Sequence, residues 1–365
     1  MKIFKNKKIL IATGGTGGHV FPAYSLAKNL IKNNYNVDIV TDRRGFKFLE
    51  KYKDVNLIIN NSTTIFKKKF ISFVWSIFVI FFSYLKSLLI LYKAKPLLVF
   101  GMGGHASFPL CLAAKTLNVP FIIYESNLLL GKSNRYLMPL ASRIFLAYEE
   151  AEGIKQKFKS KVFIAGNIIR EEILNFTSKK EYSREELNIL ILGGSQAAES
   201  FGEFLPKIFK QCAETNIKLN IFQQCTETQN SKLEEYYKNL KINYELFNFN
   251  DNILEYFSKV ELAITRSGAS ITAELINCRI PFISIPYPYS AEFHQDKNAF
   301  YFEKKGYSFS IKENEVGEKL FPLIKLIYND KKILNRLTDK QKKYSDSNVY
   351  FKINKEVKDL INERN

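Results

Sequence analysis

Four glycines in five positions follow a short apolar run near the start of the chain. Ile9-Leu10-Ile11-Ala12 leads into Thr13-Gly14-Gly15-Thr16-Gly17-Gly18-His19. Glycines there let the backbone turn sharply and let a ligand approach the main chain. Val20–Leu30 has helical spacing, so a helix start would aim unpaired N–H groups and a positive dipole end at the turn. That is a site for pyrophosphate or another anionic group. An ordinary strand-to-helix turn explains one or two glycines; four and a histidine argue for function. The turn is not a dinucleotide fingerprint, because Val20 stands where the third glycine counted from Gly15 belongs, and no Gly-Lys-Ser/Thr ends it as in a P-loop. Asp42, closing the second predicted strand, keeps a nicotinamide enzyme open as an alternative, since an acid there could meet a ribose.

Three further segments share this design. Gly101-Met102-Gly103-Gly104-His105 follows Leu97–Phe100, and Gly193-Gly194-Ser195-Gln196 follows Leu187–Leu192. Arg266-Ser267-Gly268-Ala269-Ser270 follows Leu262–Thr265 and opens a helix containing Glu274, which could accept hydrogen bonds from sugar or ribose hydroxyls. All three histidines, His19, His105 and His294, fall in or beside such segments. His19 is the candidate general base, because a neutral imidazole near pH 7 can take a proton from an attacking hydroxyl. Its competing role is a helix-start hydrogen bond that only shapes the loop. None of the nine aspartates lie two apart, so there is no Asp-x-Asp pair to hold a metal–diphosphate. Neither a metal nor a cofactor is expected, and helix dipoles with basic side chains would have to stabilise a nucleotide leaving group.

The elements that must position these turns alternate along the chain. Apolar runs at Ile9–Ala12, Val37–Val40, Leu97–Phe100 and Pro120–Tyr124 are separated by amphipathic stretches, which predicts a parallel sheet covered on both faces. Ala165-Gly166-Asn167 closes this half, and a charged, helix-prone stretch spans Glu171–Glu186. The plan restarts at Leu187, with further runs at Leu219–Gln223, Tyr244–Phe247, Leu262–Thr265 and Pro281–Ile285. The fold class is therefore α/β, as two Rossmann-like domains facing each other across a cleft. Ser345–Asn365 reads as a charged terminal helix. Phe70–Tyr92 is rich in Phe, Ile, Val and Leu and flanked by lysines. It is long enough to span a bilayer, but Lys86 interrupts it and strands of one sheet precede and follow it. It reads as a helix whose apolar face lies on an anionic membrane surface, with a buried core helix as the alternative.

A net charge of +18 over 365 residues implies an anionic partner: nucleic acid, an acidic membrane or a phosphorylated substrate. A nucleic-acid binder would bring a reading motif, and the sequence has none. Cys111, Cys212, Cys225 and Cys278 are scattered, which reads as buried thiols in a reducing compartment. The apolar run before the first glycines is too short for a signal peptide, so a cytoplasmic protein is expected.

Seven of these pieces together resemble one family in order and spacing: Ile11–His19, Phe100–His105, Tyr124-Glu125-Ser126-Asn127, Ala165-Gly166-Asn167 with Arg170, Gly193–Gln196, Arg266–Glu274 and His294-Gln295 through Asn298. The chain resembles the MurG family, N-acetylglucosaminyltransferases that convert lipid I to lipid II in peptidoglycan synthesis. The resemblance implies a GT-B fold and inverting transfer of GlcNAc from UDP-GlcNAc to the C4 hydroxyl of MurNAc in undecaprenyl-pyrophosphoryl-MurNAc-pentapeptide. It implies an acceptor- and membrane-binding domain over 1–168, on which the helix 345–365 packs, and a UDP-GlcNAc-binding domain over 169–344. Carried over by motif, Thr16, Gly17 and Gly18 line the cleft beside the transferred sugar and the acceptor diphosphate. Asn127, Arg170, Ser195 and Gln295 match donor contacts, Asn250 matches a uracil-contacting position, and Ala269, Ser270, Ile271, Thr272, Ala273 and Glu274 match the diphosphate and ribose segment. Gly14, Gly15, Gly103, Gly104 and His105 are assigned to the acceptor, and His19 matches a histidine important to activity. The expected location is the cytoplasmic face of the inner membrane, peripherally bound through Phe70–Tyr92, with no nucleic-acid partner.

The chain departs from the family where Tyr124-Glu125-Ser126-Asn127 replaces His-Glu-Gln-Asn, where His105 replaces an aromatic residue, and where Ala197 replaces a glycine. The alternative acceptor is another lipid, such as diacylglycerol, which has no diphosphate to place at the first glycine turn.

Overall fold

Residues 9–12 present no polar side chain on either face, and in the computed structural model they form the middle of a sheet with Ile9, Leu10, Ile11 and Ala12 fully buried. Each such large aliphatic side chain contributes about 1.5–3 kcal/mol by leaving water. The structure describes residues 7–63, 70–177, 185–248 and 252–363. The chain divides into two units, residues 1–171 with 346–365, and residues 172–345.

The first unit alternates β1 (Lys8–Thr13), α1 (Gly17–Lys32), β2 (Asn36–Thr41), α2 (Arg43–Leu49), β3 (Asn56–Ile59) and α3 (Phe70–Ala94). It continues with β4 (Leu98–Gly101), α4 (Gly104–Thr116), β5 (Phe121–Glu125), α5 (Lys132–Leu137), β6 (Arg143–Leu146) and β7 (Val162–Ile164). Its strands pair in parallel in the order β3-β2-β1-β4-β5-β6-β7. The order reverses between β1 and β4, where Ile9 lies opposite Leu98 and Ala12 opposite Gly101. Open α/β sheets bind ligands outside the carboxyl ends of their strands at this switch. The first two glycine turns are the loops that leave it.

The second unit repeats the plan. After α6 (Glu171–Leu174) come β8 (Leu187–Leu192), α7 (Gly194–Glu214), β9 (Leu219–Gln224), α8 (Asn230–Asn239), β10 (Asn243–Phe247) and α9 (Leu254–Lys259). Then follow β11 (Leu262–Thr265), α10 (Ala269–Asn277), β12 (Phe282–Ser284), α11 (His294–Lys304), β13 (Ser308–Ser310), α12 (Val316–Asn329) and α13 (Lys332–Gln341). The parallel order β10-β9-β8-β11-β12-β13 reverses between β8 and β11. The turns at Gly193 and at Arg266–Gly268 leave that switch. The last helix, α14 (Val349–Asn362), belongs to the first unit, burying Val349, Ile353, Val357 and Leu360 from one stripe. Arg143 ties it down through Glu356 at 2.8 Å and Glu363 at 2.9 Å.

Two expectations need correction. Of Glu171–Glu186 only Glu171–Leu174 is helical among the described residues, and 178–184 lie outside them. A short charged segment with no apolar stripe gains too little from packing to hold a helix. The strand expected at Pro281–Ile285 is limited to Phe282–Ser284.

α3 is an amphipathic helix turned inside out. Ser76, Ser83 and Ser87 are buried. Asn60 Nδ2 donates to the Ser83 carbonyl at 3.1 Å and to Ser87 Oγ at 2.8 Å, and Ser83 Oγ donates to Asn60 Oδ1 at 3.1 Å. The outer stripe runs Trp75, Phe78, Phe82, Leu85, Leu89 and Tyr92 at helical spacing, with Leu89 62 % and Tyr92 72 % exposed. By length and composition Val74–Ala94 could cross a membrane, yet it connects β3 and β4 of a single sheet.

Candidate active site

In the first unit the two glycine turns meet around His19. Thr16, with extended backbone, caps α1, which places His19 in the first helical turn. A Cβ built on Gly103 would lie 3.2 Å from His19 Cε1, and one on Gly104 would lie 3.5 Å from His19 Cδ2. Both glycines have positive φ, +87° and +71°, so a side chain there would be strained as well as crowded. The imidazole is thus packed against the second turn, half-exposed.

The first turn rests on a carboxylate. Asp42 Oδ1 accepts hydrogen bonds from Gly15 N at 3.0 Å and Gly45 N at 2.8 Å, and it caps α2. A Cβ on Gly14 would fall 2.6 Å from Ala106 Cβ and 2.8 Å from Asp42 Oδ1, so only glycine fits. The Gly15 amide is therefore taken, and an anion at this turn needs other donors. Asp42 is equally taken: its buried carboxylate organises the turn, which removes it as a ribose acid.

Arg44 and His105 complete the cluster, and nothing in the sequence singled out Arg44. Arg44 Nη2 lies 3.2 Å from His105 Nε2, and Asp42 Oδ2 lies 3.7 Å from Arg44 Nε and 3.8 Å from His105 Nε2. Arginine has no acceptor, so His105 Nε2 accepts and its proton sits on Nδ1. Burial, then the Arg44 charge, hold the His105 pKa below the usual histidine value, against the opposing pull of Asp42.

The loop after β5 is organised by buried Glu125. Its Oε1 accepts from Asn127 N at 3.1 Å and Asn127 Nδ2 at 2.9 Å; its Oε2 accepts from Gly131 N at 2.9 Å and Asn134 Nδ2 at 3.0 Å. Four donors on one carboxylate fix the segment that presents Asn127. The Tyr124 phenol donates to the Gly166 carbonyl at 3.1 Å and accepts from Ile168 N at 3.0 Å, and burial pushes its pKa far up. With Asp346 Oδ1 accepting from Asn167 N at 2.8 Å, it pins the segment leading to Arg170.

In the second unit the loop after β11 is held from behind by Arg266. This buried guanidinium donates to Ser200 Oγ at 2.6 Å and to the carbonyls of Ile285 at 3.1 Å and Pro286 at 3.2 Å, pairs with Glu313 and stacks on Phe201. Asn298 Nδ2 donates to the Ser267 carbonyl at 3.0 Å. Of the residues matched to the donor segment, Ala269, Thr272 and Ala273 are buried, and the Thr272 hydroxyl bonds back to the Gly268 carbonyl at 2.8 Å. Ser270, Ile271 and Glu274 are half-exposed. Gln295 Oε1 accepts from Tyr287 N at 2.9 Å, fixing the loop before α11. His294 Nδ1 lies 2.8 Å from the Ala291 carbonyl, a helix-start bond. Ser195 falls at the start of α7, and Asn250 lies outside the described residues.

Comparison with known proteins matches both halves to one family. Residues 9–146 match the glycosyltransferase family 28 N-terminal domain and residues 188–357 its C-terminal domain. A Pelagibacter ubique protein named UDP-N-acetylglucosamine–N-acetylmuramyl-(pentapeptide) pyrophosphoryl-undecaprenol N-acetylglucosamine transferase is 36 % identical over 98 % of this chain and 99 % of its own length. A Rickettsia felis protein of the same name is 35 % identical over 90 % of this chain and 92 % of its own. Among solved structures, Acinetobacter baumannii MurG superposes with a TM-score of 0.76 at 24 % identity, covering 98 % of this chain and 99 % of that one, a likeness of fold.

Proposed function

Because the chain belongs to the family of UDP-N-acetylglucosamine–N-acetylmuramyl-(pentapeptide) pyrophosphoryl-undecaprenol N-acetylglucosamine transferases, the MurG family, we propose how its two GT-B units divide the reaction. The chain transfers GlcNAc from UDP-GlcNAc to lipid I, forming lipid II for peptidoglycan. The first unit takes the acceptor at its two glycine turns, and the second takes UDP-GlcNAc at the starts of α7 and α10.

The transfer is one direct displacement. O4 of MurNAc attacks the anomeric carbon as the bond to UDP breaks, so the configuration inverts. His19, or a water it holds, takes the O4 proton. UDP leaves toward the helix starts of the second unit, where Glu274 accepts from the ribose hydroxyls and Ser195 and Gln295 stand at the donor's edge. Thr16, Gly17 and Gly18 flank the transferred sugar, and Asn127 and Arg170, both in the first unit, are the further residues assigned to the donor. Ala269, Thr272 and Ala273 are buried, and the Thr272 amide already bonds the Gly268 carbonyl at 3.2 Å, so these three shape the start of α10 and leave the donor to Ser270, Ile271 and Glu274.

The observation that carries this reading is that all four sequence-singled glycine and arginine turns leave the switch points of their sheets, where such folds bind ligands. The reversed amphipathicity of α3 supports peripheral attachment to the cytoplasmic face of the inner membrane. The inner face of α3 packs Leu91 and three serines, while the outward Trp, Phe and Leu gain nothing in water and a great deal at a bilayer surface. A span would put β3 and β4 of one sheet on opposite sides of the membrane.

Transfer of labelled GlcNAc from UDP-GlcNAc to a short-chain lipid I analogue, with EDTA present, tests the reading. A β-1,4-linked product is expected. Donor hydrolysis alone, or transfer to diacylglycerol instead, would overturn the acceptor.

A further inference from the structure

The first glycine turn carries an unresolved charge problem. A loop meant to receive an anion is built on the Asp42 carboxylate, which consumes the Gly15 and Gly45 amides. A buried negative charge a few ångströms from an anion repels it strongly, because the site is poorly screened. Among the described residues the structure places one permanent positive charge within reach of that carboxylate, Arg44, with Nε 3.7 Å from Asp42 Oδ2.

Arg44 is also placed to do more than neutralise. Its side chain is 60 % exposed, in contrast to Asp42. Among the described residues the space above Gly15 is open: a Cβ there would meet only Arg44 Nη2, at 3.8 Å. One edge of the guanidinium is fixed by His105 Nε2 at 3.2 Å, and a guanidinium carries five N–H donors, so the contact orients the fork without exhausting it. Ser62 Oγ donates to the His105 carbonyl at 3.1 Å, steadying the other end of the pair. A planar fork held over an open glycine is the geometry that suits bidentate binding of phosphate oxygens.

We propose that Arg44, oriented by His105, clamps the pyrophosphate of the acceptor above Gly15; this rests on the reading that the acceptor is pyrophosphate-linked. Arg44 is the contacting residue and His105 the positioning one. His105 accepts a hydrogen bond from Arg44, which a phenylalanine at this position could not do.

The test uses the full-length protein, UDP-GlcNAc and a soluble pyrophosphate-linked acceptor analogue. Arg44→Ala is expected to raise KM for the acceptor about tenfold or more, the loss of a charge-assisted contact, with kcat and KM for UDP-GlcNAc changed far less. Inorganic pyrophosphate should inhibit the wild type competitively against the acceptor and inhibit Arg44→Ala more weakly. Arg44→Lys should restore part of the affinity, charge without the fork, and His105→Phe should raise the acceptor KM by a smaller factor. Equal acceptor KM in wild type and Arg44→Ala, or a rise confined to UDP-GlcNAc, would overturn the clamp. A wild-type protein that turns over no pyrophosphate-linked acceptor removes the premise instead. Because Arg44 is mostly exposed, thermal melting should be unchanged in the two Arg44 variants, which separates a lost contact from a lost fold.

Discussion

The two units share a plan and differ in charge. Residues 1–171 with 346–365 carry 30 lysines and arginines against 13 acidic residues, a net +17. Residues 172–345 carry 24 against 23, a net +1. The whole chain's basicity therefore sits on the unit that also exposes the apolar stripe of α3. If positive charge served the nucleotide, the second unit would be the basic one. It is not, and a helix start with local hydrogen bonds is sufficient to hold a nucleotide diphosphate. Broad positive charge beside exposed aromatic residues suits an extended anionic surface, where each basic residue near the membrane adds about 1 kcal/mol. This asymmetry supports the proposal that the first unit meets an extended anionic surface and the second a small molecule.

The largest effect is expected at the proton-accepting side chain of the first unit. His19→Ala should lower kcat by about 10²- to 10⁴-fold while KM for UDP-GlcNAc, which the proposed function assigns to the second unit, moves little. Near-normal turnover would leave His19 as a loop-shaping residue. The next tests the surface directly. Phe78→Glu with Phe82→Glu should weaken binding to anionic vesicles by about 100-fold or more, since each phenylalanine contributes about 1.5–3 kcal/mol on leaving water. Transfer to a soluble acceptor should survive. Charge reversal at Lys232 and Lys238 of the second unit should leave vesicle binding as it was. A vesicle affinity that falls equally in both variants would break the contrast between the units. Smaller still, Glu274→Ala should raise KM for UDP-GlcNAc about tenfold with the acceptor KM unaffected, and an unchanged donor KM would remove Glu274 from the ribose.

Features carried by contiguous residues were legible in the sequence. Ile9–Ala12 and Leu187–Leu192 are buried on both faces and read as strands without help from the rest of the chain. The glycine turns were legible because no other residue fits where Gly14 and Gly103 lie. The inward serines of α3 were in principle readable, since Ser76, Ser83 and Ser87 repeat at helical spacing, but the abundance of apolar residues around them hid the pattern. What the sequence could not reveal depends on pairing across the sheet. Asp42 reaches Gly15 from another strand, and Arg44 meets His105 sixty-one residues away. Glu125 looks like any acid in a loop until four donors converge on it. The charge asymmetry was hidden differently: it requires knowing that 346–365 folds with the first unit.

The smallest effect sharpens the comparison at the level of one proton. With only three histidines in the chain, each ring can be followed by NMR and assigned by substitution. His105 is held below the usual value of about 6.5 by burial first, then by Arg44, with Asp42 pulling upward and His19 adding to the depression. Arg44→Ala removes one depressing charge, so the His105 titration should move up toward the ordinary value. The stability consequence has a definite sign. A histidine whose pKa is lowered by folding binds fewer protons than the unfolded chain, so stability falls as pH drops below about 6.5 toward the folded value. That acid-side loss should be shallower in Arg44→Ala, and modest in both, because the ring is partly screened by water. A His105 titration that ignores Arg44→Ala would mean that Arg44 does not couple to the ring, and the clamp would lose its positioning residue.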